Sequence, residues 1–336
     1  MGVTIYDVAK HAGVSPRTVS NVVNDHPWVS DGMRVRVRRS IELLGYRPNA
    51  VARNLRRGTT GMIAVAVPEL GVPYFSELCG TIMDEVGQRG YTVIVEQTNG
   101  DPEQERKLLA DRKASRIFDG LLFSPLALGT AEIAKTAEGS PVVLLGERVH
   151  DGPFDHVSVD NIAAARDAVR HLVDMGRRRI AAIGDQPYET GETAQLRTEG
   201  YRRALREAGL KAAVNLVVPT TNFHRTTGFE AMNALLRRSK PPDAVFCFND
   251  LLAIGALRAC RLAGVQVPDD VALIGFDDIE EARFCTPTLS TVAPDKRTIA
   301  ALAIEQLFKR IGGETGEPVA LEAPYTLVRR ESTLGR

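Results

Sequence analysis

The 336-residue chain is poor in the residues that build metal centres and disulfide scaffolds. It has four cysteines (79, 247, 260, 285) and six histidines (11, 26, 150, 156, 171, 224). No two cysteines form a CxxC pair, and the histidines show no ligand spacing, so no metal site is expected. The cysteines read as small buried apolar residues of a reducing compartment. No apolar run approaches the roughly 18 residues of a membrane span. The start, "MGVTIYDVAKHAG", places Asp7, Lys10 and His11 where a secretory leader needs an unbroken apolar stretch. The protein is therefore expected in the cytoplasm, away from membranes. The sequence also lacks GxSxG, HExxH, GxGxxG and Walker A patterns, so neither an enzyme nor a bound cofactor is expected.

What the chain does have is an uneven charge. Its 42 Lys/Arg balance 42 Asp/Glu. Residues 1–60, however, hold ten basic against four acidic side chains, net +6, and the remaining 276 hold 32 against 38, net −6. A small basic module on a mildly acidic body points to nucleic acid. With 44% hydrophobic and 25% charged residues the composition is that of a globular protein. Its length suits two or three domains.

Three short helices fit the first 45 residues. Thr4 caps the first, with Asp7 at the reciprocal capping-box position, and Gly13 makes the turn. Ser15 caps the second, with Pro16 at its first position and Val19, Val22 and Val23 turned inward. Ser30 opens the third, with Met33, Val37, Ile41 and Leu44 inward and Gly45 ending it. This is a helix-turn-helix pattern. Pro16, Arg17, Ser20 and Asn21 then face outward, where such a helix meets base edges in the major groove. Arg17 suits a guanine and Asn21 an adenine. Thr4, Ser15, Thr18 and Asn24 are placed for phosphates.

The stretch "RPNAVARNLRRG", 47–58, reads as a helix of about two turns, too short to be stable alone. It surrounds Leu55 with arginines. Beyond residue 60, apolar runs at 62–67, 91–96, 120–123, 141–145, 156–159, 179–183, 244–248 and 271–276 alternate with helical patterns. That rhythm predicts parallel sheets covered on both faces. About 275 residues suggest two doubly wound subdomains. Ligands of such sheets bind beyond the strands' carboxyl ends. Polar residues gather there: Glu147–Arg148, Asp160, Asp185, Asn249–Asp250 and Asp277–Asp278. A carboxylate in such a place is also a natural helix N-cap.

"TIYDVAKHAGVSPRTVSNVVN" (4–24) followed by "GYRPNAVARNLRRG" resembles the signature of the lac repressor family of bacterial transcription regulators. The resemblance continues through "DGLLFSP", "RRRIAAIGD", "AVFCFND", "VALIGFDD" and "LVRRES". It implies an all-α helix-turn-helix head (1–46), a hinge helix and linker (47–60), and an α/β periplasmic-binding-protein-like effector and dimerisation body (61–336). The body's subdomains would take about 61–161 with 293–322, and 162–292 with 323–336. By resemblance, the hinge folds on DNA, Leu55 wedges into the minor groove, and Arg53, Arg56 and Arg57 hold phosphates. Tyr74, Phe75, Arg148, Arg197, Phe223, Asn249, Asp250 and Asp277 are implied as effector contacts. The expected partners are double-stranded palindromic operator DNA, a second copy of the chain and a small effector. Acceptors in excess around Arg197 favour a neutral sugar over a purine or sugar phosphate. The chain ends without the C-terminal leucine heptads that make tetramers of some relatives, so a homodimer is expected. A transporter-type solute-binding protein is the remote alternative.

Overall fold

The computed structural model describes residues 3–46, 59–115, 117–137, 139–147, 152–188 and 190–335. The 47–58 hinge, with Arg53, Leu55, Arg56 and Arg57, lies outside the described residues, and so does Arg148. The chain divides into two compact units, Met1–Gly61 and Met62–Arg336.

The first unit holds α1 (Ile5–Ala12), α2 (Pro16–Val23) and α3 (Asp31–Leu44). The capping box forms: the Asp7 amide donates to Thr4 Oγ1 at 3.4 Å, and the Thr4 amide donates to the Asp7 carboxylate at 2.8 Å. Gly13 and Gly45, both at φ 62°, close α1 and α3 in the left-handed region, where a side chain would be strained. Ser15 caps α2 by accepting from the Thr18 amide at 3.1 Å. Ser30 occupies the N-cap of α3 without a side-chain cap bond. Val8, Ala9, Ala12, Val19, Val22 and Val37 make the core, packed by Ile5, Val14, Val23, Ile41 and Leu44. Met33 is half-buried and stands outside that core.

The second unit alternates strands and helices. In chain order they are β1 (Met62–Val67), α4 (Pro73–Gln88), β2 (Thr92–Gln97), α5 (Pro102–Ser115), β3 (Gly120–Phe123), α6 (Thr130–Ala137), β4 (Val142–Leu145) and β5 (Asp155–Ser158). Then come α7 (Asn161–Asp174), β6 (Ile180–Asp185), α8 (Glu192–Glu207), β7 (Val217–Pro219), α9 (Arg225–Leu236), β8 (Ala244–Cys247), α10 (Asp250–Leu262) and β9 (Ala272–Phe276). The chain finishes with α11 (Glu281–Phe284), β10 (Ser290–Pro294), α12 (Lys296–Ile311), β11 (Ala320–Glu322), β12 (Tyr325–Val328) and α13 (Glu331–Leu334). Two six-stranded sheets result, ordered β11-β5-β4-β3-β1-β2 and β12-β10-β9-β8-β6-β7. Every pairing is parallel except β10 with β12. The chain passes between the sheets after β5, after β10 and between β11 and β12, so each lobe is built from separate stretches.

Period-two alternation builds the first lobe. Ile63, Val65 and Val67 face α4 and α12, which contribute Leu78, Ile82, Val86, Ala303, Ile304 and Leu307. Ala64 and Ala66 face the other way, with Leu109 of α5 and Ile133 of α6. In the second lobe α9 and α10 cross so closely that a Cβ on Gly255 would lie 2.0 Å from the Arg225 carbonyl oxygen. The cysteines are free: Cys79, Cys247 and Cys260 are buried, and Cys285 is half-buried. Burial pushes the Cys79 thiol up to about 11.

Candidate DNA interface and effector cavity

On the helical unit, Arg17 is exposed and no hydrogen bond from its side chain is found among the described residues. Pro16, Ser20 and Asn21 are half-buried beside it on α2. The proposed phosphate contacts are busier. The Thr4 hydroxyl donates to Asp7 at 2.6 Å, and Ser15 Oγ lies 2.9 Å from Thr18 Oγ1. Asn24 Nδ2 donates to the Ser20 carbonyl at 2.8 Å, closing the end of α2. These groups therefore already hold the helix ends, and a phosphate would share them with the caps. The loop after α2 is fixed by Arg34, which donates to Asp25 and to the His26 carbonyl, both at 3.0 Å. Sequence reading missed Tyr6 and Trp28, which stand 71% and 87% exposed on this unit. No periodicity marks an aromatic that faces outward.

In the second unit a cavity of about 390 Å³ lies between the lobes, at the carboxyl ends of the strands of both sheets. Tyr74, Phe75, Arg197, Phe223, Asn249 and Asp277 line it. Tyr74 and Phe75 meet edge-on, their centroids 5.3 Å apart. Arg197, on α8, is 7% exposed. Its Nε donates to Asn161 Oδ1 at 2.7 Å, its Nη1 donates to the Phe248 carbonyl, and its guanidinium lies 3.6 Å from the Phe276 ring centroid. No acceptor for Nη2 is found among the described residues. Burial pulls this guanidinium below its ordinary range, and Asp277 opposes that pull.

Asp277 follows β9 with φ 112° and is 7% exposed. Its carboxylate accepts no hydrogen bond from the described residues. Burial pushes it up to about 7, with Glu147 and Glu77 adding to the rise while Arg197 and Lys296 oppose it. The Tyr74 hydroxyl is likewise raised, by burial and then by Glu147 and Asp277.

Asp250 is corrected by the structure: it does not reach the cavity. It is fully buried, taking the Thr291 hydroxyl at 2.7 Å and the Ile279 amide at 3.0 Å, and burial raises its carboxyl well above the ordinary range. Asn249, not Asp250, caps α10, by accepting from the Leu252 amide at 2.9 Å. Its Nδ2 donates to the Phe223 carbonyl at 3.1 Å, so this amide positions the Phe223 loop. Asp160 caps α7 through the Ala163 amide at 2.8 Å, and Asp185 takes the Thr198 hydroxyl at 2.7 Å. Two contacts that join the lobes at the cavity escaped the sequence reading. The Thr193 hydroxyl donates to Glu147 at 3.0 Å, and His224 Nε2 lies 3.2 Å from a Glu69 carboxylate oxygen. Each joins elements distant in sequence, so no local pattern could reveal it.

A helix-turn-helix unit joined to a two-lobed body with a polar cavity between its lobes defines a class, the ligand-responsive DNA-binding regulators. Residues 4–49 match bacterial regulatory proteins of the lacI family, and residues 169–333 match a periplasmic binding protein-like domain. The "HTH-type transcriptional repressor PurR" of Histophilus somni is 34% identical over 331 residues, 98% of each chain. The "Ribose operon repressor" of Escherichia coli is 35% identical over 98% of this chain and 99% of its own. A solved lac repressor dimer, bound to operator and the anti-inducer ONPF, matches with a TM-score of 0.87 and 27% identity over 99% of this chain and all of that one. The chain belongs to the lacI family of bacterial regulatory proteins. No helix among the described residues is long and apolar enough to cross a membrane.

Proposed function

We propose that this chain is a cytoplasmic transcriptional repressor, without enzymatic activity, that binds a palindromic operator as a homodimer and is released by a neutral sugar. In this reading residues 1–46 are the DNA head, 47–60 the hinge and 61–336 the effector and dimerisation body. Pro16, Arg17, Ser20 and Asn21 read bases, while Thr4, Ser15, Thr18 and Asn24 hold the backbone. By family resemblance Leu55 is the minor-groove wedge, flanked by Arg53, Arg56 and Arg57. Tyr74, Phe75, Arg148, Arg197, Phe223, Asn249 and Asp277 surround the effector, and Asp250 acts behind them as a strut.

One observation carries the choice of ligand: Asp277 is a nearly buried carboxylate to which no described residue donates, on a cavity wall shared with Glu147 and a partly engaged Arg197. Hydroxyl donors satisfy that arrangement, whereas a phosphate dianion meets like charge. The second reading is a regulator that answers a purine or a sugar phosphate as corepressor.

A thermal-shift screen of the full-length protein against D-ribose, D-ribose 5-phosphate and hypoxanthine separates these readings. It is followed by operator binding with each compound that shifts the transition. A shift by the neutral sugar with loss of operator binding is expected. A response to hypoxanthine or the phosphate alone sinks the sugar assignment, and failure to retain any DNA duplex sinks the regulator reading.

A further inference from the structure

The loop after β9 carries Asp277 and is held from two sides. Asp277 and Asp278 are consecutive non-glycine residues at positive φ, 112° and 45°. Such backbone persists only when its surroundings over-determine it. Most of those surroundings belong to the second lobe. The Asp277 amide donates to the Val292 carbonyl at 2.8 Å and the Ile279 amide to Asp250 at 3.0 Å. The Asp278 carboxylate takes Arg330 Nη2 at 2.6 Å and Arg283 Nη2 at 3.0 Å.

Two groups of the same loop are instead held by the first lobe. The Glu280 amide donates to Glu77 Oε1 on α4 at 3.2 Å. The Asp278 carbonyl accepts from Lys296 Nζ, at the start of α12, at 3.2 Å. Lys296 and Glu77 pair with each other at 2.7 Å, and their side chains are only 14% and 34% exposed. The ammonium also lies 5.8 Å from the Tyr74 ring centroid on the cavity wall. Glu77 and Lys296 thus close a small ring of polar contacts from α4 to α12 to the loop and back. The pair itself stays within the first lobe, so movement of the lobes breaks only its two bonds to the loop and leaves the Glu280 amide and the Asp278 carbonyl without these partners.

We propose that Glu77 and Lys296 form a tether by which the first lobe grips the Asp277-bearing loop, and that this tether holds the unliganded body in its operator-binding arrangement. The inference rests on the regulator reading above and names what maintains its effector-free state. The grip acts on the Asp278 carbonyl and the Glu280 amide, one and three residues beyond Asp277, so an effector that moves the Asp277 carboxylate shifts the same short loop. This supplies the differential interaction that a switch between two states requires. Glu77 and Lys296 are positioning residues, since they hold the loop and not the effector.

The test needs no effector. Full-length wild type, Lys296→Met and Glu77→Gln are titrated against the duplex recovered by selection from random DNA, and against a scrambled duplex of equal length. Lys296→Met and Glu77→Gln are expected to bind the selected duplex at least fivefold more weakly, with scrambled binding unchanged. Lys296→Arg, which keeps the charge, is expected within twofold of wild type. Arg283→Ala loosens the same loop from within the second lobe and is also expected within twofold. Amide exchange over 279–282 should quicken about tenfold in Lys296→Met. Unchanged operator affinity in both Lys296→Met and Glu77→Gln overturns the tether. So does an equal loss in Arg283→Ala, which would make loop order, not the grip between lobes, the cause. If Lys296→Met fails to fold, Glu77→Gln alone decides. A wild type that retains neither duplex removes the regulator reading itself.

Discussion

Arg197 lies over Phe276, its guanidinium carbon 3.6 Å from the ring centroid, while its Nε donates to Asn161 Oδ1 at 2.7 Å. The ring contact, the Asn161 bond and the Phe248 carbonyl together restrain the guanidinium, leaving Nη2 for a ligand in the cavity it lines. Lysine has neither the plane nor the fork. Arg197→Lys should therefore abolish the thermal shift given by the sugar while operator affinity stays within about threefold, a change of less than about 1 kcal/mol. Retention of the shift would remove Arg197 from the effector contacts.

Asp277 makes stability depend on pH. Its carboxyl is held at about 7 in the folded chain against an ordinary 3.8. Between those values the folded chain keeps a proton that the unfolded chain has released. The contribution of this group is fully present below about pH 4 and is lost as pH rises through about 7. Asp277→Asn removes that loss. The variant should melt higher than wild type at pH 8 and not at pH 4, with a gain of at most about 4 kcal/mol from roughly three pH units. Calorimetry at the two pH values checks this, and a variant less stable at pH 8 contradicts it.

The same carboxylate should link sugar binding to protons. Hydroxyl donors bind its ionised form, which grows from about a tenth of the population at pH 6 to about nine-tenths at pH 8. Affinity for the sugar should rise about ninefold over that interval. Isothermal titration in two buffers of different ionisation heat measures both the affinity and the proton released. A flat profile would mean that Asp277 is not the acceptor.

Ser15 ties the start of α2 through the Thr18 amide at 3.1 Å. Ser15→Ala should cost about 1 kcal/mol of head stability. Operator affinity should fall with it, because Arg17 and Asn21 are carried by that helix. Amide exchange of Thr18 reads the first effect and operator titration the second.

Leu55 lies outside the described residues, and its role rests on family resemblance. Leu55→Ala should weaken operator binding by a few kcal/mol, the scale of one unstacked base step, and spare non-specific binding. Arg56→Ala should weaken both and reduce the salt slope by about one. Equal affinities for Leu55→Ala and wild type would take the wedge away.

Much of the architecture was legible because local physics decides it. Thr4 with Asp7 and Ser15 with Thr18 form caps from residues within one turn, and runs such as Met62–Val67 have no partner but a buried sheet. Strands β7, β10, β11 and β12 do not stand out in the sequence: β7, β11 and β12 are short and half-exposed at sheet edges, where apolar patterning fades, and β10, though buried, begins with Ser290 and Thr291 and ends in Pro294. Lobe membership of β11 rests on its pairing with β5, as Ala320 with His156, across more than a hundred residues, and that of β12 on its antiparallel pairing with β10, as Thr291 with Val328.

At the cavity the division is sharper. Asp250 and Asp277 are the same residue type at the ends of adjacent strands, and chain position alone made both acceptors for a ligand. Tertiary packing separates them. Thr291 and the Ile279 amide consume Asp250, while Asp277, at a positive φ, lines the cavity and takes no donor from the described residues. Composition and spacing determined that this chain has a basic helical head and a two-lobed α/β body, because caps and periodic burial are properties of neighbours in sequence. Which carboxylate is free and which lobe grips its loop were decided only by the fold, because a hydrogen bond is spent on whichever partner the folded chain brings near.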